Sequence, residues 1–207
     1  MKNAALSRAL KWLFVAQLLA IAAMFPLVYA LKSLLGATAT LLALAALVRA
    51  AEEASGYRTA LRLCVGNLVL GALSYALLHL LSYFLVNMLG TWAVQIVGAL
   101  SALLSIAGKV LGLLVFRQIC LTTAGLVDDP SLAARGIWAW RVNLIYAVAV
   151  IVLSVAVSVF LGADQALEKQ PGLSAAVTLV SAVAQLAARV LYLHFLWQSA
   201  RCLSDRD

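Results

Sequence analysis

None of the eight acidic residues of this chain falls inside any of its six long apolar stretches. The stretches run over about 12–31, 34–48, 60–88, 91–117, 140–161 and 173–198. All but the alanine-rich second reach the roughly 20 residues that a helix needs to cross a hydrocarbon core about 30 Å thick. The fixed charges inside them are Arg62, Lys109, Arg117, Arg141 and Arg189, every one a cation. Only 11% of the chain is charged and 65% is hydrophobic, where a soluble domain averages about 25% charged residues. One soluble core cannot hide so much apolar surface, so lipid must be the solvent. The expected fold is all-α: a polytopic membrane protein with six transmembrane helices arranged as three helical hairpins, in a single domain over 1–207.

Several connections can be read from local chemistry. Val28-Tyr29-Ala30 resembles a signal-peptide cleavage site, but the preceding apolar run has span length, so retention as helix one is expected. Pro26 should kink that helix. Arg49 to Thr59 reads as a polar loop, and Gly90 marks a tight turn without charge. The longest loop is expected from Leu121 to Trp138. Within it Asp129 and Pro130 have the N-cap and N1 pattern of a short interfacial helix ending at Arg135. An exposed link is expected over Ala163 to Gly172.

The net charge of +7 is distributed by topology. With the N-terminus inside, the inner segments hold Lys2, Arg8, Lys11, Arg49, Arg58, Arg62, Arg117, Arg135, Arg141, Arg201 and Arg206. The outer segments hold Lys32 and Lys169. This positive-inside bias predicts cytoplasmic N- and C-termini, in a bacterial cytoplasmic (inner) membrane. Trp12, Trp138, Trp140 and Trp197 should mark the inner interface and Trp92 the outer one. No basic run interleaved with aromatics occurs, which argues against nucleic acid as a partner. Cys64, Cys120 and Cys202 are isolated in sequence, so no metal site and no disulfide framework is indicated.

The last stretch carries an unusual polar line. Ser174, Thr178, Ser181, Gln185, Arg189 and Tyr192 fall within an arc of about 80° on a helix turning 100° per residue. No acid in the stretch can neutralise Arg189. A cation costs about 2.5–3.5 kcal/mol at mid-bilayer on insertion scales, and usually faces a bundle interior or an aqueous cavity. Helix four repeats the pattern: Lys109 to Gln118 aligns without gaps on Arg189 to Gln198, pairing Ser101 with Ser181 and Ser105 with Gln185. Thr91, Gln95, Ser105 and Lys109 share a face with Gly98 and Gly112. Lys109 and Arg189 each lie eight residues before a residue at the inner boundary, about 12 Å deep at 1.5 Å per residue. The odd-numbered helices place Gln17, Asn67 and Asn143 soon after their basic entries.

The candidate ligand-binding set is therefore Lys109, Arg189, Gln185, Asn67, Asn143 and Gln17, two cations and four amides suited to a small anionic or lipid-like solute. The competing account is that both cations snorkel to the headgroups while the small residues merely pack helices. An intramembrane carboxylate for proton or sodium coupling is missing, as is a phosphate-cradling Walker loop. His79 and His194 fall at opposite ends of the bundle, so no catalytic set, metal or cofactor is expected. Three hairpins are also the plan of mitochondrial carriers, but their Pro-x-acid-x-x-basic signature is missing. Size and helix number resemble the substrate-binding subunits of energy-coupling-factor transporters, whose first helix has an Ala-x-x-x-Ala face such as Ala16 and Ala20 form. Two functions follow as expectations. One is binding or transport of that solute through a polar inward-facing pocket. The other is a non-catalytic membrane subunit that scaffolds or regulates a partner membrane protein, or pairs with its own copies.

Overall fold

The structure, a computed structural model, describes residues 2–25, 28–89, 91–160 and 171–205. Six helices account for nearly all of them: α1 (Lys2–Ala22), α2 (Tyr29–Glu53), α3 (Ser55–Leu89), α4 (Thr91–Leu126), α5 (Pro130–Phe160) and α6 (Pro171–Ser204). All six are long and apolar enough to cross a membrane, so the chain reads as a multi-pass integral membrane protein. Each helix packs on its neighbours in the chain, and α1 packs on α6. The six therefore close a ring in sequence order. Ser7 Oγ donates to the carbonyl of Ala200 at 2.7 Å, which sets the start of α1 beside the end of α6. We call this the basal end.

Several helix bounds differ from expectation, and the connections from α2 to α3 and from α4 to α5 are shorter than expected. Helix one was expected to run through a kinked Pro26 to Leu31, but α1 stops at Ala22 and α2 starts at Tyr29. Pro26 itself, and with it the expected kink, lies outside the described residues. The expected loop over Arg49–Thr59 shrinks to one extended residue, Ala54, with φ −146° and ψ 134°. Arg58 Nε closes this corner by donating to the carbonyl of Ala51 at 2.9 Å, satisfying one of the orphan acceptors at the end of α2. Thr122 lies against Gly56 so closely that any Cβ there would overlap its hydroxyl.

The long loop also contracts. α4 continues to Leu126, and the expected interfacial helix proves to be the first turn of α5. The capping geometry is as the residues imply: Asp129 Oδ1 accepts from the amides of Ser131 (2.9 Å) and Leu132 (3.4 Å). A hydrogen bond from the Ser131 side chain, followed by these backbone bonds, holds the Asp129 carboxyl below its ordinary 3.8, with Arg135 adding a smaller pull in the same direction. A carboxyl lowered on folding stabilises the fold above its unfolded pKa, and that help is lost as pH falls through the lower folded value. Asp129→Asn, which keeps a cap acceptor, should thus flatten the fall in melting temperature as pH drops below the ordinary carboxyl value of 3.8, relative to wild type. Calorimetry across that range checks it.

The buried core sits entirely towards the basal end. Among the described residues, burial stops at Ala16 on α1, Ala60 on α3, Ile119 on α4, Ala139 on α5 and Ala188 on α6. On α2 it is dense from Ala46 to Ala51, with Ala39 an outlier. The cluster joins Leu10, Leu47, Cys120, Phe195, Leu196 and Leu203 around Tyr57 and Tyr192. Thr123 donates its hydroxyl proton to the carbonyl of Ile119 at 2.8 Å. The 2.7 Å contact between Tyr57 and Thr123 must then be donated by the tyrosine. Tyr57→Phe strips that acceptor of its partner and should cost about 1–2 kcal/mol, read as a lowered midpoint in thermal unfolding.

Three arginine–tryptophan stacks surround this end: Arg49 over Trp12 and Arg117 over Trp140, both at 5.8 Å, and Arg201 over Trp197 at 5.7 Å. Amphipathic rings and cations at one level are the mark of a membrane–water interface. Trp92 lies outside the residues whose side chains are described, as do Ser174, Thr178, Thr91 and Gln95. The expected link over Ala163–Gly172 also falls largely outside the described residues.

Candidate functional site

Directly above the core the ring encloses a cavity of about 510 Å³. Four helices line it. α1 contributes Gln17, α4 contributes Lys109, Gly112, Leu113 and Phe116, α5 contributes Asn143, Tyr146, Ala147 and Val150, and α6 contributes Gln185 and Arg189. α1 and α4 stand three places apart in a six-membered ring, so a space that both line is interior. Its volume falls in the range of about 300–1,000 Å³ typical of small-molecule sites. Lys109 and Arg189 thus share one space instead of pointing to separate patches of headgroup.

The floor explains why the cavity ends where it does. Phe116 stacks on Tyr192 with ring centroids 4.1 Å apart and planes at 50°. Tyr192 itself is buried in the core. Among the described residues, packed side chains occupy the basal end below the cavity. Sequence could not disclose this, because the burial of Leu10, Leu47, Tyr57 and Leu196 depends on six helix ends converging.

The electrostatics are one-sided. Among the described residues, no acid lines the cavity. Among the described acids, Glu52, Glu53, Asp128, Asp129 and Asp205 all lie at helix ends or connections of the basal end. Arg189 is half-buried, while Lys109 is exposed to the open space. A sphere of the cavity's volume is about 10 Å across, over which two like charges repel by about 1–2 kcal/mol at an effective dielectric near 20. An incoming anion would relieve that repulsion.

The amides are not equivalent. Asn143 Nδ2 donates to the carbonyls of Ala139 (3.0 Å) and Ala188 (3.3 Å), tying α5 to α6. Two carbonyl partners require the NH₂ group, which fixes the flip and leaves Oδ1 as the remaining polar atom. Asn143 therefore positions the wall and offers an acceptor; its donors are spent. Gln17 and Gln185 sit in the same cavity without such ties among the described residues.

Asn67 is elsewhere. It lines a separate recess of about 280 Å³ between α3 and α4, with Ser74, Ser101, Ser105 and Gly108. The stripe on α4 consequently divides: Lys109 meets the central cavity, whereas Ser101 and Ser105 meet α3. On α6 Gln185 and Arg189 remain together. Tyr146 is the polar lining residue missing from the sequence-based set. Its signal was available, since it lies three residues after Asn143 and so shares its face.

His79 pairs with Tyr75 (Nε2 to Oη 3.1 Å), far along α3 from the basal end, while His194 lies near that end of α6. Among the described residues no three His, Cys, Asp or Glu side chains come together. No protein-family model matches the chain, and no curated protein or solved structure is significantly similar to it.

Proposed function

We propose that this membrane protein binds a small anionic solute in the cavity between α1, α4, α5 and α6. Arg189 and Lys109 supply the counter-charge, and Gln17 and Gln185 supply donors that orient the ligand. Leu113, Phe116 and Val150 give the site an apolar wall that would accept the carbon skeleton of an organic or lipid-like anion. The single observation carrying this reading is that two cations from different helices share one cavity that no described acid lines. Transport is the fuller form of the proposal. The cation bias supports a cytoplasmic basal end, which would have the cavity approached from the opposite side or laterally. Passage would then require the Phe116–Tyr192 floor and the core below it to part.

The test is ligand-induced stabilisation of the purified protein, screened with inorganic phosphate, carboxylates, phosphate esters and lipid-like anions. A shift in wild type that disappears in both Arg189→Leu and Lys109→Leu supports the site. A shift that both variants retain rules it out. No shift with any anion favours the alternative, a non-catalytic subunit that scaffolds or regulates a partner membrane protein.

A further inference from the structure

The outer face of α6 near the basal end is bordered by two grooves that meet at His194. One, about 460 Å³, lies against α5 between Trp138, Leu191 and Phe195, with Arg135 on its rim. The other, about 360 Å³, lies against α1 between Phe14, Val190 and Trp197. Both have to open outwards, because the interior of the ring at this level is packed core. Trp138 is 63% exposed and Leu191 46%, so this surface would face lipid at the level of the arginine–tryptophan stacks.

The polar edge of the two grooves carries two cations, Arg135 and Arg201, beside His194 and Gln198. His194, Gln198 and Arg201 follow the spacing i, i+4, i+7 and so share one face of α6. Arg135 reaches across from α5 and donates to Gln198 Oε1 at 2.8 Å. That bond uses one of five guanidinium N–H groups and orients the rest. Arg201 stacks over Trp197 one turn nearer the basal end. Asp129 is close enough to Arg135 to feel its charge, but its Oδ1 serves the cap of α5.

We propose that this face holds one anionic glycerophospholipid, with its phosphate at Arg135 and Arg201 and its two acyl chains in the two grooves straddling α6. A fixed guanidinium matches a phosphate by charge-assisted hydrogen bonds. Basic pockets between transmembrane helices are suited to anionic headgroups. The pair of grooves is what selects a two-chain lipid over a single-chain amphiphile or a free anion.

The experiment uses the full chain, delipidated in a neutral detergent, with native mass spectrometry and thermal melting as readouts. Dioleoyl-phosphatidylglycerol should bind as one retained copy and raise the melting temperature. Dioleoyl-phosphatidylcholine, lysophosphatidylglycerol and glycerol phosphate should each be at least about tenfold weaker. Arg135→Gln with Arg201→Gln, both exposed sites, should lower the lipid-free melting temperature by only a few degrees and lose about tenfold or more of the phosphatidylglycerol affinity. Arg189→Leu should keep that affinity, which separates this site from the cavity. Equal retention of both two-chain lipids by wild type would overturn the proposal, and this comparison needs no variant. So would unchanged affinity in the double variant, or a lysolipid as strong as the two-chain lipid.

Discussion

Gly136→Leu is expected to be strongly damaging, lowering the melting temperature by about 6 °C or more or preventing folding altogether. A Cβ at Gly136 would lie 2.5 Å from Cζ and 2.6 Å from Cε2 of Phe195. Such a contact is tolerable only if the ring can retreat. Phe195 is 1% exposed and enclosed by the basal core, so α5 and α6 must separate instead. Inserting even a methylene into a filled core costs about 1–3 kcal/mol, and leucine adds four carbons. Separation would also stretch the Asn143 bond to Ala188 and disturb the cavity wall above it. The control is Gly36→Ala on α2, where nothing lies within 4 Å of the added atom. There, replacing glycine within a helix should be neutral or stabilising by up to about 1 kcal/mol. Fluorescence-detected size-exclusion after heating distinguishes the two.

The second large effect concerns the cavity. A ligand present at 100 times its Kd stabilises the folded state by about 2.7 kcal/mol, or roughly 5–10 °C for a chain of this size. Arg189→Leu removes one partner of a charge-assisted contact, a change that typically costs about 2–5 kcal/mol of binding. The anion-induced shift should therefore fall to near zero at the same concentration. Without ligand, the variant should be at least as stable as wild type, because a half-buried cation with no described acid beside it has been removed. Arg189→Lys should retain part of the shift, since it keeps the charge and loses the planar fork. A variant that melted lower without ligand would show Arg189 to be a packing element.

Much of the architecture was legible because lipid imposes a simple rule: apolar runs of span length become helices. The boundaries were less legible, for identifiable reasons. Glu52, Glu53 and Arg58 read as loop by charge, yet glutamate is a good helix former, and Arg58 caps the carbonyl that the corner exposes. The end of α1 at Ala22 was not legible, because the apolar run continues past it without a break in composition. At the site, periodicity shows which residues share a face but not which helix that face meets. Gln185 and Arg189 stayed together for this reason, while Ser105 and Lys109, equally well aligned, face different neighbours. Asn67 was grouped with Gln17 and Asn143 by depth, and depth says nothing of azimuth.

The closure of the ring through α1 and α6 also bears on how the protein is made. Ser7 and Ala200 are 193 residues apart in the chain, and Leu10 and Leu13 of α1 lie in the same basal core as Tyr192, Leu196 and Leu203 of α6. Helices added during synthesis can pair with their immediate predecessors as they emerge, since those contacts are local. The face of α1 that meets α6 has no native cover until more than 150 residues have followed it. Pairing across so long a separation is entropically slow, and exposed intermediates are where misassembly begins. The final helix is thus the one whose arrival turns a row of hairpins into a closed ring.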